Sequence, residues 1–128
     1  MSCARPFVVC VEEQGSFTYD FTLYKDDGSP VLLAELLTLS VSVVTAPSGA
    51  VGPQPIVTNR DVLNDGTYGT YHATSGAGSV RFVAADNVIV DPLKTKERHR
   101  AEFSATWAGG GSKHWPIEIL VDDMLTLS

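Results

Sequence analysis

Apolar and polar residues alternate one by one along several stretches of this chain, and a period of two predicts strands with one buried face. In residues 16–24 (SFTYDFTLY), Phe17, Tyr19, Phe21 and Leu23 share one face, while Ser16, Thr18, Asp20 and Thr22 share the other. Residues 36–44 repeat the pattern, with Leu37, Leu39, Val41 and Val43 set against Thr38, Ser40 and Ser42. The preceding LLAELL at 32–37 admits a helix by composition, but the β-branched run after it favours strand. Residues 98–107 place His99, Ala101, Phe103, Ala105 and Trp107 opposite Arg98, Arg100, Glu102, Ser104 and Thr106. A glycine-rich turn at 109–112 follows, and Trp115, Ile117, Ile119 and Val121 then alternate with Glu118, Leu120 and Asp122. The last third therefore predicts a long hairpin.

Between these segments the chain carries turn chemistry. Asp26-Asp27-Gly28-Ser29-Pro30 and Asn64-Asp65-Gly66 are turn signals. Residues 45–55 hold three prolines and two glycines and predict a loop, because proline cannot donate to a sheet ladder. Ile56-Val57 suggests a short edge strand, and 67–73 and 79–83 suggest two strands around the glycine-containing stretch 74–78. Asp86 is expected to cap a single helical turn through Val90, ended by Asp91-Pro92. Seven or eight short strands without a helical period predict an all-β, antiparallel sandwich, one domain over residues 1–128. At this length roughly two thirds of the unfolded surface is buried on folding. The 44% apolar and 19% charged composition agrees with an ordinary core.

Candidate chemistry is sparse. A net charge of −6 argues against nucleic acid as the main ligand, since phosphate neutralisation needs clustered cations. The apolar run at 7–11 is too short to span a membrane or form a signal-peptide core, so no membrane is expected and synthesis is placed in a cytoplasm. Cys3 and Cys10 read as two reduced thiols, Cys10 as a small buried hydrophobe. His72, His99 and His114 have no metal-ligand spacing, and His99 shares a face with Phe103 and Trp107, which suggests a core histidine. The Asp-Gly turns lack the further carboxylates of a calcium loop. No nucleophile motif or phosphate loop is present, so no catalytic residues, metal or cofactor are expected.

Charge is distributed unevenly. Lys94, Lys96, Arg98 and Arg100 fall within seven positions and, with Glu97, give that segment a charge of +3 against −9 for the remainder. Such a stripe suits electrostatic docking onto an acidic protein surface, or else a solvated strand edge that discourages aggregation. Phe7 near one end, and Met124, Leu125 and Leu127 near the other, are candidates for apolar contact or strand addition to a neighbour.

The order of these elements resembles small immunoglobulin-like virion proteins of tailed bacteriophages. The resemblance rests on the strand at 17–24, the central Pro/Gly loop, the acidic turn at 86–91 and, above all, the hairpin HRAEFSATWAGGGSKHWPIEILV at 99–121. The N-terminal domain of siphophage baseplate upper proteins is similar in outline. The resemblance implies an immunoglobulin-like β-sandwich acting as a capsid decoration or cement protein. It would bind the major capsid protein or other virion proteins in a symmetric array, on a virion assembled in the host bacterial cytoplasm. A neck, tail-tube or baseplate component is the alternative within the class. A secreted adhesion or carbohydrate-binding module is the alternative outside it.

Overall fold

The closing hairpin forms as its alternation predicts. In the computed structural model, which describes residues 8–46, 53–63, 66–90 and 96–122, strands Lys96–Trp107 and Gly111–Asp122 pair in unbroken antiparallel register from Lys96↔Asp122 to Trp107↔Gly111. Gly109 and Gly110 turn the chain with φ of 90° and 85°, a region open to glycine at no steric cost. In chain order the strands are β1 (Val8–Glu12), β2 (Phe17–Thr22), β3 (Leu36–Thr45), β4 (Pro55–Asp61), β5 (Gly69–Tyr71), β6 (Ala77–Phe82), β7 (Lys96–Trp107) and β8 (Gly111–Asp122).

They form two sheets. The larger has the order β1-β8-β7-β3-β4 and the smaller β2-β6-β5. All pairings are antiparallel except β1 with β8, which is parallel from Val8↔Glu118 to Glu12↔Asp122. The chain crosses between sheets after β1, β2, β4 and β6, so sequence neighbours face one another across the core. The orders β8-β7-β3-β4 and β2-β6-β5, two packed sheets with the closing hairpin inside the larger, are those of an immunoglobulin-like β-sandwich.

The core is built where inward residues of both sheets meet. Leu39, Val41, Val43, Ala101, Phe103, Ala105, Ile117, Ile119 and Val121 come from the large sheet, and Val80 and Phe82 from the small one, all buried. Its centre is aromatic. Phe103 stacks with Tyr19 at 5.0 Å and with Trp115 at 5.1 Å, and meets Phe82 edge-on at 6.2 Å. Phe17 stacks on Phe82 at 4.7 Å. Antibody domains tie their sheets here with a disulfide; this chain uses ring contacts, each worth about 0.5–1.5 kcal/mol beyond area burial.

Several expectations are corrected. Cys10 is disulfide-bonded and half-buried on β1, not a reduced thiol, and the sequence holds one other cysteine, Cys3. Leu37 is 61% exposed while Leu36 is buried, because the β3–β7 register shifts between Leu36 and Thr38 and inverts the alternation there. Such a bulge re-aims a side chain. Asp86 ends a 3₁₀ turn (Ala84–Asp86) and does not begin a helical one; its carboxylate reaches back to accept the Val83 N–H. The strand expected over 67–73 is only Gly69–Tyr71. His99 is fully buried, as its face implied.

Candidate functional site

The basic stripe occupies the outer face of β7. Lys96, Arg98 and Arg100 alternate with the buried Glu97 and His99, and all three point to solvent. Each nevertheless meets a carboxylate. Lys96 Nζ lies 3.8 Å from Asp122, Arg98 Nε 3.3 Å from Glu118, and Arg100 Nε 3.1 Å from Glu102. Asp122 is buried, whereas the exposed pairs Arg98–Glu118 and Arg100–Glu102 stabilise by about 0–1 kcal/mol each. All three pairs offset the local field. The face is a ladder of alternating charge, which suits register and orientation better than attraction at a distance. Lys94, Phe7, Met124, Leu125 and Leu127 lie outside the described residues.

A different surface is built at one end of the sandwich. The connection from β2 to β3 doubles back on itself. Tyr24 and Pro30 form an isolated bridge, and the Val31 N–H donates to the Leu23 carbonyl at 3.0 Å. Between them the Asp27 carboxylate accepts the Ser29 N–H at 2.9 Å and the Ser29 hydroxyl at 2.5 Å, and these bonds hold its carboxyl below the usual carboxylate range. Neighbouring loops then clamp the segment. Leu33 N–H donates to Ala73 O at 3.1 Å, Ala108 N–H to Glu35 O at 2.9 Å, and Leu23 N–H to Gly76 O at 2.9 Å. The turns at 73–75 and 108–110 therefore meet the β2–β3 connection at this end.

Side chains lock the same unit. Val31 is fully buried, and its carbonyl accepts the Tyr71 hydroxyl at 2.7 Å. Burial, with the Glu35 charge adding to it, pushes that phenol up to about 12. Lys25 Nζ sits 2.5 Å from Glu35, and this contact holds the Glu35 carboxyl below its ordinary range.

Beside its exposed Asp26 and Asp27, the clamped loop presents apolar side chains. Tyr24 is 58% exposed, Leu33 40% and Leu37 61%, with Leu32 beside them; Val90 is the one other large hydrophobic residue exposed among the described residues. Tyr24, Leu32 and Leu33 lie on this loop and Leu37 at the start of β3. Scattered exposed leucines are ordinary, and a group of them is a candidate contact surface. The sequence did carry a signal for this. Leu32-Leu33 and Leu36-Leu37 are adjacent pairs, and a strand can turn only one member of each pair inward.

Two buried polar pairs stand away from this end. Glu97 and His99 share the inner face of β7 with Oε1 and Nε2 2.7 Å apart, and Glu97 also accepts the Val90 N–H at 2.8 Å. Arg60 and Asp86 form a forked ion pair. Among the described residues no group of three or more His, Cys, Asp or Glu side chains is placed to hold a metal ion.

No family model matches the chain, and no curated protein matches it. Among solved structures it is similar to murine CRIg at 12% sequence identity over 92% of each chain, with a TM-score of 0.41. That score is too low to carry an argument, and the immunoglobulin-like class rests on strand order and register.

Proposed function

We propose that this domain is a tailed-phage virion protein of the capsid decoration or cement type, docking on assembled capsid subunits through the loop end that carries Tyr24, Leu32, Leu33 and Leu37. The observation that carries the binding role is the combination of apolar exposure and clamping in that loop. A preorganised apolar surface loses little conformational entropy on docking. Each leucine removed from water adds on the order of 1–2 kcal/mol. Modest affinity per copy then becomes strong attachment when many copies bridge neighbouring subunits. The ion-paired face of β7 would orient the domain.

The phage assignment rests on the closing hairpin at 99–121 and its resemblance to virion proteins. A disulfide at Cys10 is compatible with it, because such bonds persist in oxidising surroundings that include virion surfaces. Quantitative protein mass spectrometry on purified particles tests the reading. A copy number matched to the capsid lattice supports decoration, whereas one ring of copies per particle supports the neck, tail or baseplate alternative. Absence from particles would remove the virion reading altogether.

A further inference from the structure

On one side of the sandwich two strand edges lie close to an aromatic groove. β2 is the outer strand of its sheet, so one edge of its backbone has no strand beside it among the described residues. β1 covers the facing edge of β8 from Glu118 to Asp122, and among the described residues no strand pairs with Gly111 to Ile117 on that side. Between these two edges runs a groove of about 490 Å³ lined by Tyr19, Phe21, Thr22, Lys113, Trp115 and Pro116.

Its floor is aromatic and fixed. Phe21 meets Trp115 at 5.3 Å, and the Trp115 indole N–H donates to the Tyr19 hydroxyl at 3.2 Å. Phe21 can lie across β6 because Gly78 is opposite it: a Cβ at that position would come within 2.5 Å of Cζ of the ring. Lys113 stands at the rim, 5.2 Å above the Trp115 ring, with no carboxylate within ion-pair distance among the described residues. The two strand edges have no neighbouring strand on this side among the described residues, and Pro116 of β8 lacks an N–H to give. They flank an apolar floor and form a site for an added β-strand, where main-chain bonds give affinity and side-chain pockets give selectivity.

We infer that this groove receives the segment Asp123-Met124-Leu125-Thr126-Leu127 of a second copy of the chain, added as a strand parallel to β8. The chemistry is complementary. In an extended strand Asp123, Leu125 and Leu127 share one face, and the two-residue step from Asp123 to Leu125 matches that from Lys113 to Trp115. The acid meets the lone cation and the leucines meet the aromatic floor. A parallel strand here also continues, on the same edge of β8, the parallel ladder that β1 makes further along.

Within one copy β8 ends at Asp122, remote from the groove, and the edge a returning chain would retrace is already held by β1.

This inference is independent of the capsid assignment. Sedimentation of the full chain should show concentration-dependent association, weakened at least about ten-fold by Leu125→Asp with Leu127→Asp and likewise by Lys113→Glu. Combining Lys113→Glu with Asp123→Lys should restore it. In a mixture of differently isotope-labelled copies, NMR should show contacts between the Trp115 ring of one copy and the Leu125 and Leu127 methyls of another. Association unmoved by these substitutions, the same contacts arising within a single copy, or a chain that stays monomeric with no such contacts would each overturn the inference.

Discussion

Asp86 grips Arg60 with both oxygens: Nη1 donates to Oδ2 at 2.6 Å and Nη2 to Oδ1 at 2.8 Å. The Arg60 guanidinium also lies 4.0 Å over the Tyr68 ring. The pair ties the end of β4, in the large sheet, to the 3₁₀ turn that leaves β6 of the small one. Asp86 is almost fully buried, so removing either partner strands a charge.

We therefore expect Asp86→Ala to lower stability by about 3 kcal/mol. Arg60→Lys should also be costly, because a lysine offers neither the fork nor the planar stack. Urea unfolding measures both. A loss below about 1 kcal/mol for Asp86→Ala would show that the pair is not structural.

The Tyr71 phenol sets an alkaline limit. Its folded-state value of about 12 lies above the ordinary value of 10.0, so between these pH values the unfolded chain loses the proton first. The stabilisation is complete below pH 10 and is lost as pH rises towards 12. Melting temperature should fall across that window, and Tyr71→Phe should flatten the fall. The same variant should cost roughly 1 kcal/mol at neutral pH, since the Val31 carbonyl loses its donor. An identical alkaline fall in Tyr71→Phe would assign it to other groups.

Glu97 joins two parts of the chain, accepting from Val90 and contacting the buried His99. Glu97→Ala should cost about 2–3 kcal/mol by leaving both groups without a carboxylate. Amide hydrogen exchange should speed up at Val90 before it does so along β7. Uniform acceleration would mean that the pair does not act locally.

Reduction of the Cys10 disulfide should have a limited effect. A loop closed between Cys3 and Cys10 is short, and chain-entropy reasoning gives it at most about 2–3 kcal/mol. A reductant should thus lower the melting temperature without unfolding the domain at room temperature, as differential scanning calorimetry would show.

The aromatic strand and the closing hairpin were legible because their alternation runs from Phe17 to Leu23, and from His99 to Trp107 and Trp115 to Val121 on either side of a glycine turn. Leu37 departs from the alternation because the register with β7 shifts between Leu36 and Thr38, and that register is not written in β3 alone. The cations of the stripe were plain, but their partners were not. Glu118 and Asp122 become neighbours of β7 only once the register with β8 is known. The Arg60–Asp86 clasp joins residues on different sheets that no local pattern connects. The apolar loop end was half visible as paired leucines, and what made it a surface was the set of backbone bonds that clamp it.

The binding of purified protein to capsids stripped of it, read by co-sedimentation, tests the central claim most directly. The variant Leu33→Ser with Leu37→Ser should melt within about 0.5 kcal/mol of the parent, since both side chains are exposed. It should lose at least about ten-fold in capsid affinity. The triple variant Lys96→Glu, Arg98→Glu, Arg100→Glu should change affinity far less, because each cation already faces a carboxylate. Parent-like binding by the leucine variant, or no capsid binding by the parent protein, would contradict the account.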